Sequence, residues 1–177
     1  MKPLLTISLL FLLSVLLCAC PFSSVYQLDE SPSVNIDEAL VGKWATFVEN
    51  QLTHEVEPVK LILSKKNDTE YNIAFLGFSK QLRKFQTPNT DSVMATGFLS
   101  DVNGRRFINI SLKAQVFIAE VRYKDDKLSV LPLSEHFTAR MIRSNDILRK
   151  AVEIHYKVNT RPMIDYDFAL KEMTRVN

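Results

Sequence analysis

Asn103 and Gly104 stand side by side between two largely apolar segments, residues 93–102 and 105–112. Asn-Gly is the pair that best tolerates positive φ at both central positions of a type I′ turn, which joins two antiparallel strands through two residues. Alternation of apolar and polar residues over short runs is typical of strands. We therefore predict an antiparallel hairpin over residues 93–112.

A two-residue loop also sets the register of this hairpin, because each residue of one strand then has a defined partner on the other. Leu99 should face Ile108, and Gly97 should face Ile110. Apolar residues occupy both faces of the hairpin: one face carries Ala95, Gly97, Leu99, Ile108, Ile110 and Leu112, and the other carries Phe98 and Phe107 with Asn109. We expect one face to pack in a core and the other to be at least partly covered.

Further short segments have the same strand-like character. They are residues 44–48, 59–63, 70–76, 117–123 and 127–133. The chain also contains eleven Phe and five Tyr, and aromatic residues are enriched in strands. Consecutive short strands joined by polar turns predict a mainly β domain built as an antiparallel meander of about eight strands.

The C-terminal third is predicted to contain one or two helices. Ser134 is a candidate helix cap, and we favour helix to about Lys150 and a strand over residues 152–158, where apolar and charged residues alternate. Helical spacing across the same residues leaves a helix there as the alternative. Residues 166–175 favour a final helix, with a last strand as the alternative.

The first twenty residues predict where the protein resides. Lys2 and the amino terminus are positively charged, and residues 4–17 are apolar apart from one Thr and two Ser. A short apolar run behind a positive end is typical of a secretory signal peptide, and it is shorter than the about 20 apolar residues that span a membrane. We therefore expect this segment to be removed.

The residues Leu17-Cys18-Ala19-Cys20 resemble the lipobox of bacterial lipoproteins. The resemblance implies that residues 1–19 are the signal peptide and that Cys20 becomes the first mature residue and carries acyl chains. In that family an aspartate after the cysteine is associated with the inner membrane. Pro21 stands at that position, which implies the periplasmic side of the outer membrane. Ordinary signal cleavage after Ala19 is the alternative.

Both cysteines of the chain, Cys18 and Cys20, lie in this N-terminal region. The mature domain would therefore have none for a disulfide, a thiolate metal site or a cysteine nucleophile. With 22 basic and 20 acidic residues, the charge gives no reason to expect nucleic acid as a partner. The membrane, reached through the N-terminal lipid, is the partner that the sequence predicts.

Residues 20–38 are predicted to be the lipidated cysteine and a flexible tether, because serines are frequent and apolar residues show little periodicity. Docking of Phe22, Val25 and Tyr26 on the domain is the alternative. Residues 39–177 are then predicted to be one β-rich globular domain, a length that suits a single core.

Gly42-Lys43-Trp44 opens the first long predicted strand, ahead of the meander. This arrangement resembles the G-x-W signature of lipocalins and related calycins, whose chains close into an eight-stranded barrel with a ligand cavity at one mouth. In that family the tryptophan packs across the closed end, often under an arginine from the last strand. The resemblance implies a lipocalin-like barrel in which Gly42 and Trp44 are structural and Arg175 is the counterpart of that arginine.

A barrel of this kind leads to two hypotheses about function. In the first, a membrane-anchored barrel holds a small apolar or amphipathic molecule, lined by Phe98, Phe107, Phe117 and Tyr123. In the second, the interior is filled and the outer surface binds another envelope protein, as in an assembly factor. A cavity of about 300 Å³ or more favours the first, whereas a packed interior beside an exposed apolar patch favours the second.

The sequence favours a non-enzymatic protein that needs no metal or cofactor. His54, Glu55 and Glu57 are close together in the chain, but a metal site generally needs a further converging ligand. The chain has four glycines, too few for a glycine-rich loop that cradles phosphate.

Overall fold

The computed structural model describes residues 23–49, 54, 56–77, 92–134, 142–158, 164–166 and 168–176. A 3-10 helix, Glu38–Leu40, precedes the first long strand. The elements that the described residues form are, in chain order, β1 (Ser23–Ser24), β2 (Gly42–Glu49), β3 (Val56–Lys65), β4 (Glu70–Leu76), β5 (Ser92–Val102), β6 (Arg105–Leu112), β7 (Gln115–Lys124), β8 (Lys127–Pro132), α1 (Asn145–Val158) and β9 (Leu170–Val176).

The strands form a closed antiparallel barrel. Each strand from β2 to β7 pairs with the next strand in sequence, and β9 pairs with both β8 and β2. The sheet thus closes after eight strands, and closure removes the free edges that an open sheet would expose. β1 is an additional short strand on β7. The predicted mainly β fold with a barrel of about eight strands is confirmed.

The predicted hairpin is formed by β5 and β6 in the expected register. Leu99 pairs with Ile108, and Gly97 pairs with Ile110. At the turn, Asn103 has φ of 51° and Gly104 has φ of 72°, and both are positive as a type I′ turn requires.

Two favoured predictions for the C-terminal third are wrong. Residues 152–158, favoured as a strand, belong to α1, and the segment favoured as a final helix contains β9. Leu148, Val152 and His155 are the buried residues of α1, and their spacing places them on one face of a helix. β9 forms because it pairs with strands on both sides, a tertiary effect that overrides local helix propensity.

Successive residues of the barrel strands point alternately inward and outward, and the apolar ones belong to two separate clusters. The inner cluster fills the barrel and includes Trp44, Leu61 and Tyr71. The outer cluster lies between α1 and the outer faces of β5 to β7, and it includes Phe107 and Leu148. These two clusters explain why both faces of the β5–β6 hairpin are apolar.

The prediction of a flexible tether over residues 20–38 is wrong for its described part, residues 23–38. β1 pairs with β7, and Leu28 is buried in the outer cluster. The backbone N–H of Leu28 donates to Oδ1 of Asn109 at 2.8 Å. Further along, Ile36 packs against the inner cluster. The folded body therefore includes residues 23–38, because their apolar side chains find partners on both sides of the barrel wall.

We name the two ends of the barrel after Trp44 and Lys113. The Trp44 end holds the start of β2, the β5–β6 turn and the end of β9. The Lys113 end holds the β6–β7 turn and the starts of β3, β5 and β9. Antiparallel pairing places these features together, because successive strands reverse direction.

Candidate functional site

The interior of the barrel is the first place where a small ligand would be held. Its described part contains a void of about 10 Å³, roughly the space of one water-sized sphere. The void is lined only by apolar residues: Leu40, Leu61, Leu63, Ile73, Phe75, Ile108, Ile110, Val121 and Val130. Ligand pockets usually measure about 300 Å³ or more, so the described interior is a packed core.

Two of the four aromatic residues predicted to line a cavity face away from the interior. Phe107 belongs to the outer cluster, where its ring meets that of Tyr156 edge-on at 5.4 Å between centroids. Phe98 is buried and stands next to Leu99 of the inner cluster. Because successive residues of a strand point to opposite faces, Phe98 also faces outward. The predicted inward orientation is wrong for Phe98 and Phe107.

The other two predicted lining residues lie on the inner side, near opposite ends. Phe117 is partly buried against the inner cluster, close to the Lys113 end. Tyr123 is 39% exposed, and its ring centroid lies 6.0 Å from that of Trp44 in an edge-on contact. These two rings help to cover the ends of the core instead of lining one common cavity.

Trp44 and Arg175 together close the Trp44 end. They are direct cross-strand partners on β2 and β9, and the guanidinium carbon lies 4.5 Å from the centre of the Trp44 ring, within cation–π range. The same guanidinium donates from Nη1 to the carbonyl oxygen of Val41 at 2.6 Å and from Nη2 to that of Ala39 at 2.7 Å. Arg175 thus lies over Trp44, where the sequence resemblance places it.

Gly42 is adapted to this contact. Its φ is 150°, a conformation that L side chains rarely adopt, and a Cβ atom there would overlap Nη1 of Arg175. The indole Nε1 of Trp44 donates to the carbonyl oxygen of Leu40 at 2.8 Å. Trp44 and Arg175 are therefore hydrogen-bonded to the segment of residues 39–41, and Gly42 leaves the space that the guanidinium occupies.

Residues 34–41, here called the strap, cross the Trp44 end and cover the core. The backbone N–H of Asp37 donates to the hydroxyl oxygen of Tyr71 at 2.6 Å, and Nη1 of Arg106 donates to Oδ2 of Asp37 at 2.6 Å. Tyr71 is fully buried, and this burial raises the pKa of its hydroxyl. The strap is thus fixed to the barrel by polar contacts as well as by Leu40.

A buried carboxylate on the outer face of β7 joins α1 to the sheet. Glu120 is 3% exposed and accepts from Arg122 Nε at 2.8 Å and from Arg105 Nη1 at 3.0 Å. The hydroxyl of Tyr156, on α1, donates to Glu120 Oε2 at 3.2 Å. Charged partners on both sides offset the cost of burying this carboxylate.

The ionisation of this cluster follows from its surroundings. Burial alone would raise the pKa of Glu120, but hydrogen bonds and charges from Arg122 and Arg105 outweigh it and lower the pKa. Burial, followed by the charge of Glu120, raises the pKa of Tyr156. At neutral pH the carboxylate is therefore charged and the phenol is protonated, which suits a structural hydrogen bond.

Sequence reasoning missed the Glu120 cluster, because Glu120 alternates with apolar residues as an ordinary solvent-facing residue would. In the folded chain its carboxylate contacts Arg105 and Arg122 of the sheet and Tyr156 of α1. Tyr156 carried no distinct signal either, since the segment around it is compatible with a strand as well as a helix.

The acidic and histidine residues considered for metal binding do not converge in the described structure. His54 Nδ1 lies 3.0 Å from Glu49 Oε1, and both side chains are largely exposed. Glu57 lies on β3, and Glu55 is outside the described residues. Among the residues with described positions, no group of three or more His, Cys, Asp or Glu side chains could hold a metal ion.

Cys20 and the predicted signal segment lie outside the described residues, so the lipobox reading stays a prediction. Within the described part of the chain, no helix combines the length and the apolar character needed to cross a bilayer. Comparison of the chain with protein-family models, with curated proteins and with solved structures finds no match in any of the three.

Proposed function

We propose that this chain is a non-enzymatic envelope lipoprotein whose filled barrel serves as a protein-interaction or assembly module. The packed interior is the observation that carries this choice. A void of about 10 Å³ holds about one water, whereas a small apolar ligand needs about 300 Å³. The described barrel is thus better suited to present its outer surface than to carry a molecule inside.

The anchor in this proposal is Cys20, acylated after removal of residues 1–19. Each buried methylene contributes roughly 0.8 kcal/mol, so two or three chains hold a protein durably on a membrane. Pro21, in place of the aspartate associated with the inner membrane, supports the periplasmic side of the outer membrane.

A surface for a protein partner is available on the outer faces of β2 and β3. Phe47 and Val56 are 73% and 61% exposed, and Phe47 is paired across β2 and β3 with Pro58, which is also exposed. Exposed apolar residues that cluster on one face mark interaction surfaces more often than singly scattered ones do.

Native mass spectrometry of the mature protein, extracted from its own envelope in mild detergent, tests this function. We expect a stoichiometric complex with a second polypeptide that the double variant Phe47→Glu/Val56→Glu loses. Tyr166→Glu is the matched control, because Tyr166 is also 55% exposed but lies outside this surface. A co-purifying small molecule of several hundred daltons, with no polypeptide, would contradict the proposal and favour a ligand carrier.

A further inference from the structure

α1 exposes an apolar stripe beside the face that packs on the barrel. Ile147, Ile154 and Val158 are 44%, 57% and 72% exposed. Ile154 follows Ile147 by about two turns, and Val158 follows Ile154 by about one turn, so the three residues share one face of the helix. The neighbouring face, about 100° further round the helix, carries Leu148 and Val152, which are fully buried in the outer cluster. The apolar surface of the helix is therefore wider than the part that the barrel covers.

Two exposed lysines border this stripe. Lys150 and Lys157 each follow a stripe residue, Ile147 and Ile154, by three positions and therefore lie beside it on the helix surface. Lysine stems can lie along apolar surface while the ammonium group stays in a polar layer. An apolar helix face bordered by lysines is typical of helices that lie in the interface of an anionic bilayer.

The proposed lipid anchor is short and begins on the same flank of the barrel. Ser23 pairs with Phe117 at the start of β7. Cys20 precedes Ser23 by three residues, which span about 10 Å at most when fully extended. The neighbouring β7 residue Ile118 belongs to the outer cluster on which α1 lies. A bilayer holding the acyl chains of Cys20 is therefore within short reach of this flank.

The opposite side of the barrel is out of that reach. In the eight-stranded order, β2 is four strands away from β6, the middle strand under α1. At about 4.8 Å between neighbouring strands, half of the barrel wall measures about 19 Å. The exposed Phe47 on β2 therefore faces away from a bilayer that touches α1.

We infer that the stripe of α1 rests on the bilayer that holds Cys20, with Ile147, Ile154 and Val158 in the headgroup layer. This inference rests on the lipid anchor proposed above. It assigns one orientation to the protein: the α1 flank lies on the lipid, and the exposed surface of β2 and β3 is presented to the periplasm.

Depth-dependent fluorescence quenching tests this orientation in the full-length protein. Val158→Cys and Phe47→Cys provide matched reporter sites, because the native side chains are 72% and 73% exposed. Each variant is produced as the acylated protein, labelled with a polarity-sensitive dye and reconstituted in phosphatidylethanolamine–phosphatidylglycerol vesicles. Lipids with a nitroxide at the headgroup then serve as the quencher. We expect several-fold stronger quenching at position 158 than at position 47.

The possible failures are distinguishable. Equal quenching at the two sites in a protein that carries acyl chains and floats with the vesicles overturns the orientation and leaves the anchor intact. Protection of the Val158→Cys label from iodide without quenching by lipid means that a protein or a second copy covers the stripe, and this also overturns it. A full chain that lacks acyl mass and stays in the supernatant overturns both the orientation and the anchor.

Discussion

At the scale of single residues, the Trp44 end depends on one guanidinium group. Arg175 stacks on Trp44 and donates to two backbone carbonyls of the segment that leads into β2. Gly42 makes room for it, since any side chain there would overlap the guanidinium. The position of Arg175 therefore depends on residue 42 being a glycine, because the guanidinium occupies the space that a side chain would fill.

A double-mutant cycle measures this dependence. Gly42→Ala should lower the free energy of unfolding by about 1–3 kcal/mol, because φ becomes strained and Arg175 is displaced. In an Arg175→Ala background the steric part is absent, so the cost should fall by about 0.5 kcal/mol or more. Urea unfolding of the chain from Ser23 onward provides the measurement.

Gly104 supplies the control for this cycle. Its φ is 72°, but a Cβ atom there would meet no other atom within 4 Å. Gly104→Ala should therefore be destabilising through backbone strain alone and additive with Arg175→Ala. Additivity at Gly42 as well would refute the proposed contact between Gly42 and Arg175.

At the scale of elements, α1 shows how packing selects between two local structures. Alternation of apolar and charged residues over 152–158 is compatible with a strand. The outer faces of β5 to β7, however, form an apolar surface, and these strands already pair with one another and offer no partner for a further strand. A helix satisfies its own backbone and delivers Leu148, Val152 and Tyr156 to that surface. The hydrogen bond from Tyr156 to Glu120 also holds α1 on this surface.

Adjacent residues of α1 provide a matched test of this packing. Leu148 is fully buried and Ile147 is 44% exposed. Leu148→Ala should lower the free energy of unfolding by about 2–5 kcal/mol through lost burial and a cavity, whereas Ile147→Ala should cost less than about 1 kcal/mol. Chemical denaturation of both variants distinguishes them, and similar losses would mean that α1 does not pack on the barrel through this face.

At the scale of the whole molecule, the proposed lipid anchor at Cys20 is separated from the folded barrel by only a few residues. Residues 23–38 run along the wall and across the Trp44 end, so almost no free chain remains between Cys20 and the folded body. A lipid at Cys20 would hold the domain against the membrane surface instead of letting it range away from it.

Replacement of Cys20 tests the anchor on which this arrangement depends. Cys20→Ser should abolish acylation and shift the protein from the membrane fraction to the soluble periplasmic fraction or to an unprocessed precursor. Cys18→Ser is the matched control, because residue 18 would leave with the signal peptide and the mature protein would be unchanged. Intact mass and membrane fractionation are the readouts. A Cys20→Ser protein that matures and fractionates as the wild type does is incompatible with lipidation.

Local chemistry made part of this fold predictable from the sequence. The Asn103-Gly104 turn sets the β5–β6 register because a two-residue loop leaves each strand residue one partner. The meander follows from strands and turns that neighbour each other in the chain. The place of Arg175 over Trp44 was accessible only through the resemblance to a known motif, since no local pattern links residues so far apart.

The sequence by itself determined the strand order through β8, the hairpin register and the N-terminal signal pattern, because each depends on residues that are close in the chain. Tertiary structure alone decided that β9 closes the barrel on β2, that α1 is a helix, that Glu120 is buried and that Phe98 and Phe107 face outward. Those outcomes depend on surfaces formed by distant segments, and burial against such a surface outweighs the smaller local preferences.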